Sequence, residues 1–184
     1  MREENIFSPF PIGNDHYSPD VAPIVDYTVA RYGLTEWRAA VLTNELHGHL
    51  GIYSTIGVKM GIFAREILQQ PHHIKVISFA GSKPPLSCMN DGLQVSTGAT
   101  IGHGLISIAD DTNTRAEAIF FADDREICIR LREDVARQIA ADIRQGIEQF
   151  GKRSPKYWSY IRHLAIDYWQ AFDREEVFEV VSAR

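Results

Sequence analysis

The spacing of apolar residues predicts helices towards both ends of the chain and strands between them. Between residues 50 and 69, apolar side chains recur three or four positions apart, at Ile52, Ile56, Met60, Phe63 and Ile67. This spacing places them on one face of a helix. Capping residues and further apolar periodicity predict helices over about 20–32, 35–44, 86–97 and 134–151, and from Ser154–Pro155 onward.

Short apolar runs predict strands at 74–80, 105–109, 115–121, 125–131 and 177–181. The strands at 105–109, 115–121 and 125–131 are separated by turn-forming residues at Asp110–Asn113 and at Asp123–Asp124. Three strands in succession predict an antiparallel β-meander. Helices, then strands, then helices are typical of an α+β fold, so we predict a meander packed with several α-helices. Residues 1–16 contain Pro9, Pro11 and Gly13, and are predicted to form an extended N-terminal arm.

Composition narrows the class of protein. The 184 residues suit one domain, here residues 17–184 after the arm. The net charge of −5 argues against a nucleic-acid partner, which usually meets a basic surface. No run approaches the roughly 18 apolar residues of a membrane span. The charged N-terminus lacks the apolar segment of a signal peptide, and two cysteines do not suggest a disulfide framework, so we expect a cytoplasmic protein.

Two histidines flank a glycine in the stretch Asn44–Gly51, at His47 and His49. Imidazole is the commonest protein metal ligand and titrates near neutral pH. On a continuous helix the two rings would point about 200° apart and could not share a metal ion. Gly48 relaxes this limit if the pair lies in a turn. We therefore expect one histidine to be a ligand and the other to make backbone or supporting contacts.

A second cluster follows at Cys88 and Asp91, which are three positions apart and would share a helix face. A thiolate and a carboxylate, with imidazoles from elsewhere, suit zinc or a neighbouring divalent metal. We expect Cys88 to be exposed at a helix start, where a thiolate is stabilised. Cys128 lies between Ile127 and Ile129 and is predicted to be a strand residue without a functional role.

The order of these motifs resembles the FmdE family, which takes its name from the formylmethanofuran dehydrogenase operon. That family has a His-Gly-His segment, then Cys shortly before Asp-Ala/Gly-Leu/Ile-Gln, then Thr-Gly-Cys-Thr and a Gly-Lys-Gly turn. This chain has His47–His49, Cys88–Gln94, Thr97–Thr100 and Gly102–Gly104 in that order. The resemblance covers about residues 40–150 and implies a cytoplasmic, often dimeric, metal-binding α+β protein. It implies no particular reaction.

The chain departs from the family pattern at several positions. Gly51 and Ala99 stand where the family often has cysteine, and His103 replaces the common lysine. No cysteine follows Cys128, so the paired cysteines of the zinc ribbon in longer members are missing. His103 is a candidate substitute ligand, since Gly102 and Gly104 let the backbone bend.

The leading hypothesis is a mononuclear metal site formed by His49, Cys88 and His103, with His47 or Asp91 as a fourth ligand or a supporting group. Zinc is the first candidate metal, with nickel and iron as alternatives. The family resemblance implies an association with molybdenum or tungsten formylmethanofuran dehydrogenase-type metabolism. Whether it is an enzyme stays open.

Two other functions compete with metal binding. Cys88 could serve as the nucleophile of a metal-free thiol enzyme or redox protein, with a histidine as its base. Alternatively, the chain could be a non-catalytic subunit that docks on a larger oxidoreductase through its aromatic C-terminal segment. We also expect a homodimer, because the Gly57/Gly61 helix face and the aromatic run Tyr157–Trp169 offer apolar surface.

Overall fold

A computed structural model describes residues 6–69 and 74–183. The α-helices in these residues are α1 (Val25–Tyr32), α2 (Leu34–His47), α3 (Ile52–Leu68), α4 (Met89–Thr97), α5 (Glu133–Phe150), α6 (Pro155–Ala171) and the single turn α7 (Arg174–Val177). Short 3-10 turns lie at Asn14–His16, Ala22–Ile24 and Leu86–Cys88. Gly33 ends α1 and Gly151 ends α5, both with positive φ, as the glycines in the sequence indicate.

The strands β1 (Lys75–Ser78), β2 (Ile106–Ile108), β3 (Glu117–Ala122), β4 (Arg125–Leu131) and β5 (Phe178–Ala183) form one sheet in the order β2-β1-β3-β4-β5. The predicted α+β class is confirmed, and the sheet is antiparallel except where β2 pairs with β1. The expected adjacency of β2 and β3 is wrong, because β1 lies between them. The β1–β2 connection contains α4, and a crossover of this length permits parallel pairing.

The core lies between the sheet and the helices, with α3 at its centre. Ile56, Met60 and Phe120 are almost fully buried there. Trp37 of α2 stacks on Trp169 of α6, with ring centroids 4.6 Å apart, and so ties the two ends of the chain together. Such stacked pairs add about 0.5–1.5 kcal/mol beyond the area that they bury.

Helices α3 and α4 approach each other unusually closely. A Cβ atom added at Gly57 would lie 2.1 Å from the Met89 carbonyl oxygen, and one at Gly61 would lie 2.0 Å from Ser96 Oγ. The glycines at these positions therefore serve packing within the chain. The argument that the Gly57/Gly61 face supports a homodimer is wrong, since α4 already covers that face.

The aromatic run on α6 is also largely internal. Trp169 is buried, and Tyr157, Tyr160 and Tyr168 are partly buried against the core, whereas Trp158 is 45% exposed. This segment consequently presents less free apolar surface than the sequence suggests.

Part of the predicted arm is visible. Residues 6–13 form neither helix nor strand, and Phe10 is buried, whereas the first five residues of the predicted arm lie outside the described ones. Across the described segments, none of the helices combines the length and apolar character that a membrane crossing requires.

Candidate functional site

The turn after α2 brings the two histidines of the His-Gly-His motif together. Helix α2 ends at His47, and Gly48 takes a left-handed conformation with φ of 78°. The rings of His47 and His49 then lie with their centroids 4.4 Å apart. The prediction that Gly48 removes the helical separation of the two imidazoles is confirmed.

Asn44 holds this turn in place from inside α2. Its side-chain oxygen accepts hydrogen bonds from the Gly51 backbone N–H at 3.0 Å and from Ser54 Oγ at 2.8 Å. Its amide nitrogen donates to the Ala40 carbonyl at 2.8 Å. The buried amide thus links the end of α2 to the start of α3, which limits how far the histidines can move.

His47 makes a short polar contact with a carboxylate on α4. Its Nδ1 lies 2.7 Å from Asp91 Oδ2. The other ring nitrogen, Nε2, is buried and has no hydrogen-bond partner among the described residues. In the tautomer that donates from Nδ1, Nε2 carries a lone pair, so it is a free acceptor or metal ligand.

Cys88 and Asp91 line one cleft together with His47. The cleft has a volume of about 520 Å³, and polar residues of α4 and the apolar strand β2 complete its wall. Cys88 closes the 3-10 turn before α4 and is half-buried. The thiol and the carboxylate thus lie on one cleft, as their spacing of three residues predicts.

The electrostatic environment of Cys88 differs from the expected one. Burial, and then the nearby Asp91 carboxylate, raise the pKa of the Cys88 thiol. The expectation of an exposed thiol with a stabilised thiolate is therefore wrong. Its physical reason is that desolvation and a like charge both disfavour the ionised sulfur. Cys128 is buried in β4, where burial raises its pKa to about 11.

His49 faces a different part of the surface. Its ring contacts Trp158 edge-on, with centroids 5.4 Å apart, and it lines a cleft with Leu50 and Arg162 rather than the Cys88 cleft. Burial and the adjacent His47 lower the pKa of His49. Its ring therefore stays neutral to lower pH than an ordinary histidine, which suits a nitrogen that has to bind a metal.

His103 lies in an exposed turn outside the Cys88 cleft. Its Nδ1 is 3.3 Å from the Gly98 carbonyl oxygen. The structure thus brings His47, Cys88 and Asp91 to one cleft, places His49 against His47, and leaves His103 apart. In the described part of the chain, no three His, Cys, Asp or Glu side chains are arranged as a metal-binding group.

Position 51 is nevertheless informative about what this site could hold. A Cβ atom added at Gly51 would lie 3.5 Å from His47 Nε2 and 2.7 Å from Ser54 Oγ. A cysteine here, as the resembled family often has, would therefore place its side chain beside the unpaired nitrogen. The present chain has only a hydrogen atom there, so position 51 supplies no side-chain donor. Ala99, the other substituted position, is fully buried.

Sequence reasoning missed the polar support behind Asp91. Asn90 accepts a hydrogen bond from Ser78 Oγ at 2.6 Å and donates to the Gly81 carbonyl at 2.9 Å. These bonds tie the start of α4 to the end of β1 and the loop after it. The Asn-Asp-Gly sequence indicates that polar side chains lie at this position, but nothing in it identifies Ser78 as the hydrogen-bond partner of Asn90.

Comparison with known proteins identifies the family of this chain. A family model described as "FmdE, Molybdenum formylmethanofuran dehydrogenase operon" matches residues 46–179, which begin just before His47 and include Cys88, Asp91 and His103. A search of curated proteins found no match. Because the family model covers well over half of the chain, this protein belongs to the FmdE family.

Proposed function

We propose that this chain is a metal-binding protein associated with formylmethanofuran dehydrogenase metabolism, with a single divalent metal held beside His47 and Cys88. The observation that carries the proposal is the state of the His47 ring, whose Nδ1 contacts Asp91 at 2.7 Å while its Nε2 is buried and unpaired among the described residues. The association with the dehydrogenase rests on the family description.

A carboxylate behind a histidine is the usual support of a metal-ligating imidazole. The carboxylate fixes the tautomer and the ring orientation, and it makes the distal nitrogen a stronger donor. A buried nitrogen without any partner also costs free energy, about 1–3 kcal/mol, unless a ligand satisfies it. Both considerations favour His47 Nε2 as a ligand and Asp91 as its orienting group.

Cys88 is the second proposed ligand. A bound divalent metal replaces the thiol proton and so reverses the penalty that burial and Asp91 impose on the thiolate. Nitrogen and sulfur donors favour zinc, with nickel or iron as alternatives. His49, which lies against His47, is the next candidate. When bound, such a metal supplies Lewis acidity, and the roles of the protein are to hold it and to orient His47 through Asp91.

Purified protein is expected to carry roughly one divalent metal per chain, because the site has N and S donors for a single ion. Cys88→Ser and His47→Ala should each lose most of this metal. Elemental analysis of protein purified without a metal-affinity tag, followed by zinc and nickel titration, measures both effects.

Cys128→Ser is the matched control for the thiol, since Cys128 is buried in β4 away from the cleft. Equal metal retention in Cys88→Ser and Cys128→Ser would remove Cys88 from the site. Parent protein that neither contains metal nor takes it up would contradict the proposal as a whole.

His103 stays a predicted ligand that one comparison can test. Because it is exposed and outside the Cys88 cleft, His103→Ala should weaken metal binding less than His47→Ala does. His16→Ala, at an exposed histidine of the N-terminal turn, should leave affinity unchanged. Titrations between about pH 5 and 8 also report whether protonation competes with the metal. A loss with His103→Ala as large as that with His47→Ala would place His103 among the primary ligands.

The metal-free thiol enzyme is less well supported than the metal site. A nucleophilic cysteine needs a depressed pKa or an adjacent base, whereas burial and Asp91 raise the pKa of Cys88. The contact between His47 Nδ1 and Asp91 Oδ2 favours this alternative, because a carboxylate also orients the histidine base of such a dyad.

The sheet edge at β5 is a better candidate for the interface of the predicted homodimer than the Gly57/Gly61 face. This strand pairs with β4 on one side only among the described strands, and Val180 and Val181 are 43% and 46% exposed. Exposed apolar edge strands readily pair with another chain. We therefore propose that β5 contributes to dimer formation.

Light scattering at micromolar concentration should give the mass of a dimer. Val180→Lys together with Val181→Lys should shift it towards the monomer, because charged residues protect edge strands from pairing. A lysine placed instead at exposed Ile101, in the turn after α4, provides the control. A parent protein that runs as a monomer would overturn the proposal.

A further inference from the structure

We propose that a second cleft, between the N-terminal arm and helices α2, α3 and α4, binds a small organic anion that joins a carboxylate or phosphate group to an apolar body. The cleft has a volume of about 560 Å³, within the range of small-molecule sites. None of the described residues lines both this cleft and the Cys88 cleft. It is therefore separate from the proposed metal site.

Two arginines line this cleft without a carboxylate partner. Arg38 on α2 and Arg65 on α3 are both half-buried, and no described carboxylate lies within ion-pairing distance of either guanidinium. The other half-buried arginines of the described residues, Arg115, Arg130, Arg162 and Arg174, all pair with aspartate or glutamate. Arg38 and Arg65 thus differ from the other half-buried arginines in lacking a described carboxylate partner, and a bound anion would supply one.

Contacts of the two arginines hold them at the cleft. The Arg38 guanidinium lies over the Phe10 ring, 5.7 Å from its centroid. Arg65 donates from Nη1 to the Ser96 carbonyl at 2.9 Å. Neither contact uses the full set of five N–H donors that a guanidinium offers. The remaining donors can bind a carboxylate or a phosphate in a forked geometry.

The rest of the lining combines apolar side chains with the hydroxyl-bearing residues Ser8, Thr35, Ser96 and Thr97, and its apolar part would contact the body of the ligand. Leu34, Leu42 and Val95 contribute aliphatic surface, and Phe7 of the arm is 47% exposed at the rim. Inorganic phosphate or acetate would pair with the arginines but would leave these apolar side chains in contact with water. The combination of cationic and apolar surface therefore fits an organic acid or an organic phosphate better than a bare ion.

Calorimetric titration with two matched pairs of probes tests the proposal, namely octanoate against acetate, and phenyl phosphate against inorganic phosphate. At low salt, at least one organic member should bind saturably and more tightly than its small partner. The pair that binds shows whether the head group is a carboxylate or a phosphate. Added salt should weaken binding, because the attraction is partly electrostatic.

Arg38→Gln should weaken binding by roughly tenfold or more, the effect of losing one charge-assisted hydrogen-bond pair. Arg144→Gln is the matched control, because this residue is an arginine of α5 outside the cleft. Thr35→Trp keeps both arginines but fills part of the cleft, and it should also weaken binding. Circular dichroism melting of each variant separates lost binding from lost folding.

Saturable binding of an organic probe that is lost in Arg38→Gln and in Thr35→Trp, but not in Arg144→Gln, supports the proposal. Absence of saturable binding for all four probes would overturn it. So would equal affinity of the parent and Arg38→Gln, or equal affinity for phenyl phosphate and inorganic phosphate together with no binding of octanoate.

Discussion

Alanine at Gly92 is expected to destabilise the protein by about 3 kcal/mol, although alanine favours helices. A Cβ atom at this position would lie 2.1 Å from the Ser54 carbonyl oxygen and 2.5 Å from the Val58 backbone nitrogen. Both atoms belong to the backbone of α3, so no side-chain rotation can relieve the overlap. The helices would have to separate, and the close packing between them would be lost. Urea unfolding monitored by circular dichroism measures the change.

Gly57→Ala should behave in the same way, because its Cβ would meet the Met89 carbonyl oxygen of α4 at 2.1 Å. Gly102→Ala is the control, since the nearest atom to its Cβ is Thr100 Oγ1 at 3.8 Å. A Gly92 variant as stable as the Gly102 variant would show that α3 and α4 are not in this close contact.

The same helix contact positions the candidate metal site. Asp91 immediately precedes Gly92 on α4, whereas His47 lies just before the turn that leads into α3. The 2.7 Å contact between His47 and Asp91 therefore depends on how closely the two helices pack. Metal retention in Gly57→Ala should fall together with stability if this link is correct.

Elements that depend on local sequence were predicted well. The amphipathic spacing of α3 and the turn between β3 and β4 each depend on residues that are close together in the sequence. In the structure both lie close to the expected bounds. The position of β1 between β2 and β3 was not predicted. Strand order depends on pairing between distant segments, which apolar periodicity does not encode.

The sequence predicts His49, Cys88 and His103 as the main ligands, with His47 or Asp91 as a fourth ligand or supporting group. The cleft instead contains Cys88 with His47 and Asp91, while His49 and His103 do not line it. The pairing of His47 with Asp91 joins residues 44 positions apart, so no local pattern could indicate it. The burial of Cys88 likewise depends on the surrounding fold rather than on the Pro-Pro loop before it.

The spacing of apolar residues also does not predict a buried ion pair between Lys59 of α3 and Glu36 of α2. Lys59 and Glu36 are 1% and 0% exposed, and Lys59 Nζ lies 2.7 Å from Glu36 Oε1. Arg174 donates to the other oxygen of Glu36 at 3.0 Å and also pairs with Glu66 at 2.7 Å. The Lys59 ammonium further lies 3.7 Å from the centroid of the Tyr32 ring. Glu36 thus connects α2, α3 and α7 through two cations.

Glu36→Gln is expected to cost about 3–5 kcal/mol of stability, because it leaves the Lys59 ammonium buried without a carboxylate. Arg174 keeps Glu66 as a partner, so only Lys59 is left without a carboxylate partner. Adding Lys59→Met to this variant should therefore recover part of the loss, since no buried charge then lacks a partner. Lys59→Met alone should cost less than Glu36→Gln, because Glu36 retains Arg174. Guanidinium denaturation of the four proteins gives these differences.

The pH dependence of Glu36→Gln provides an independent check on this account. Burial lowers the pKa of Lys59, and Glu36 opposes that shift, so removing the carboxylate should lower the pKa further. Between this lowered pKa and the ordinary lysine pKa of about 10.4, the folded variant then binds fewer protons than its unfolded chain, so its stability should rise with pH more steeply than that of the parent. Glu133→Gln, at an exposed glutamate paired with Arg137, should show little change in stability and no added slope. A Glu36→Gln variant with the parent's slope, and with no recovery on adding Lys59→Met, would mean that Lys59 is not held as a buried cation by Glu36.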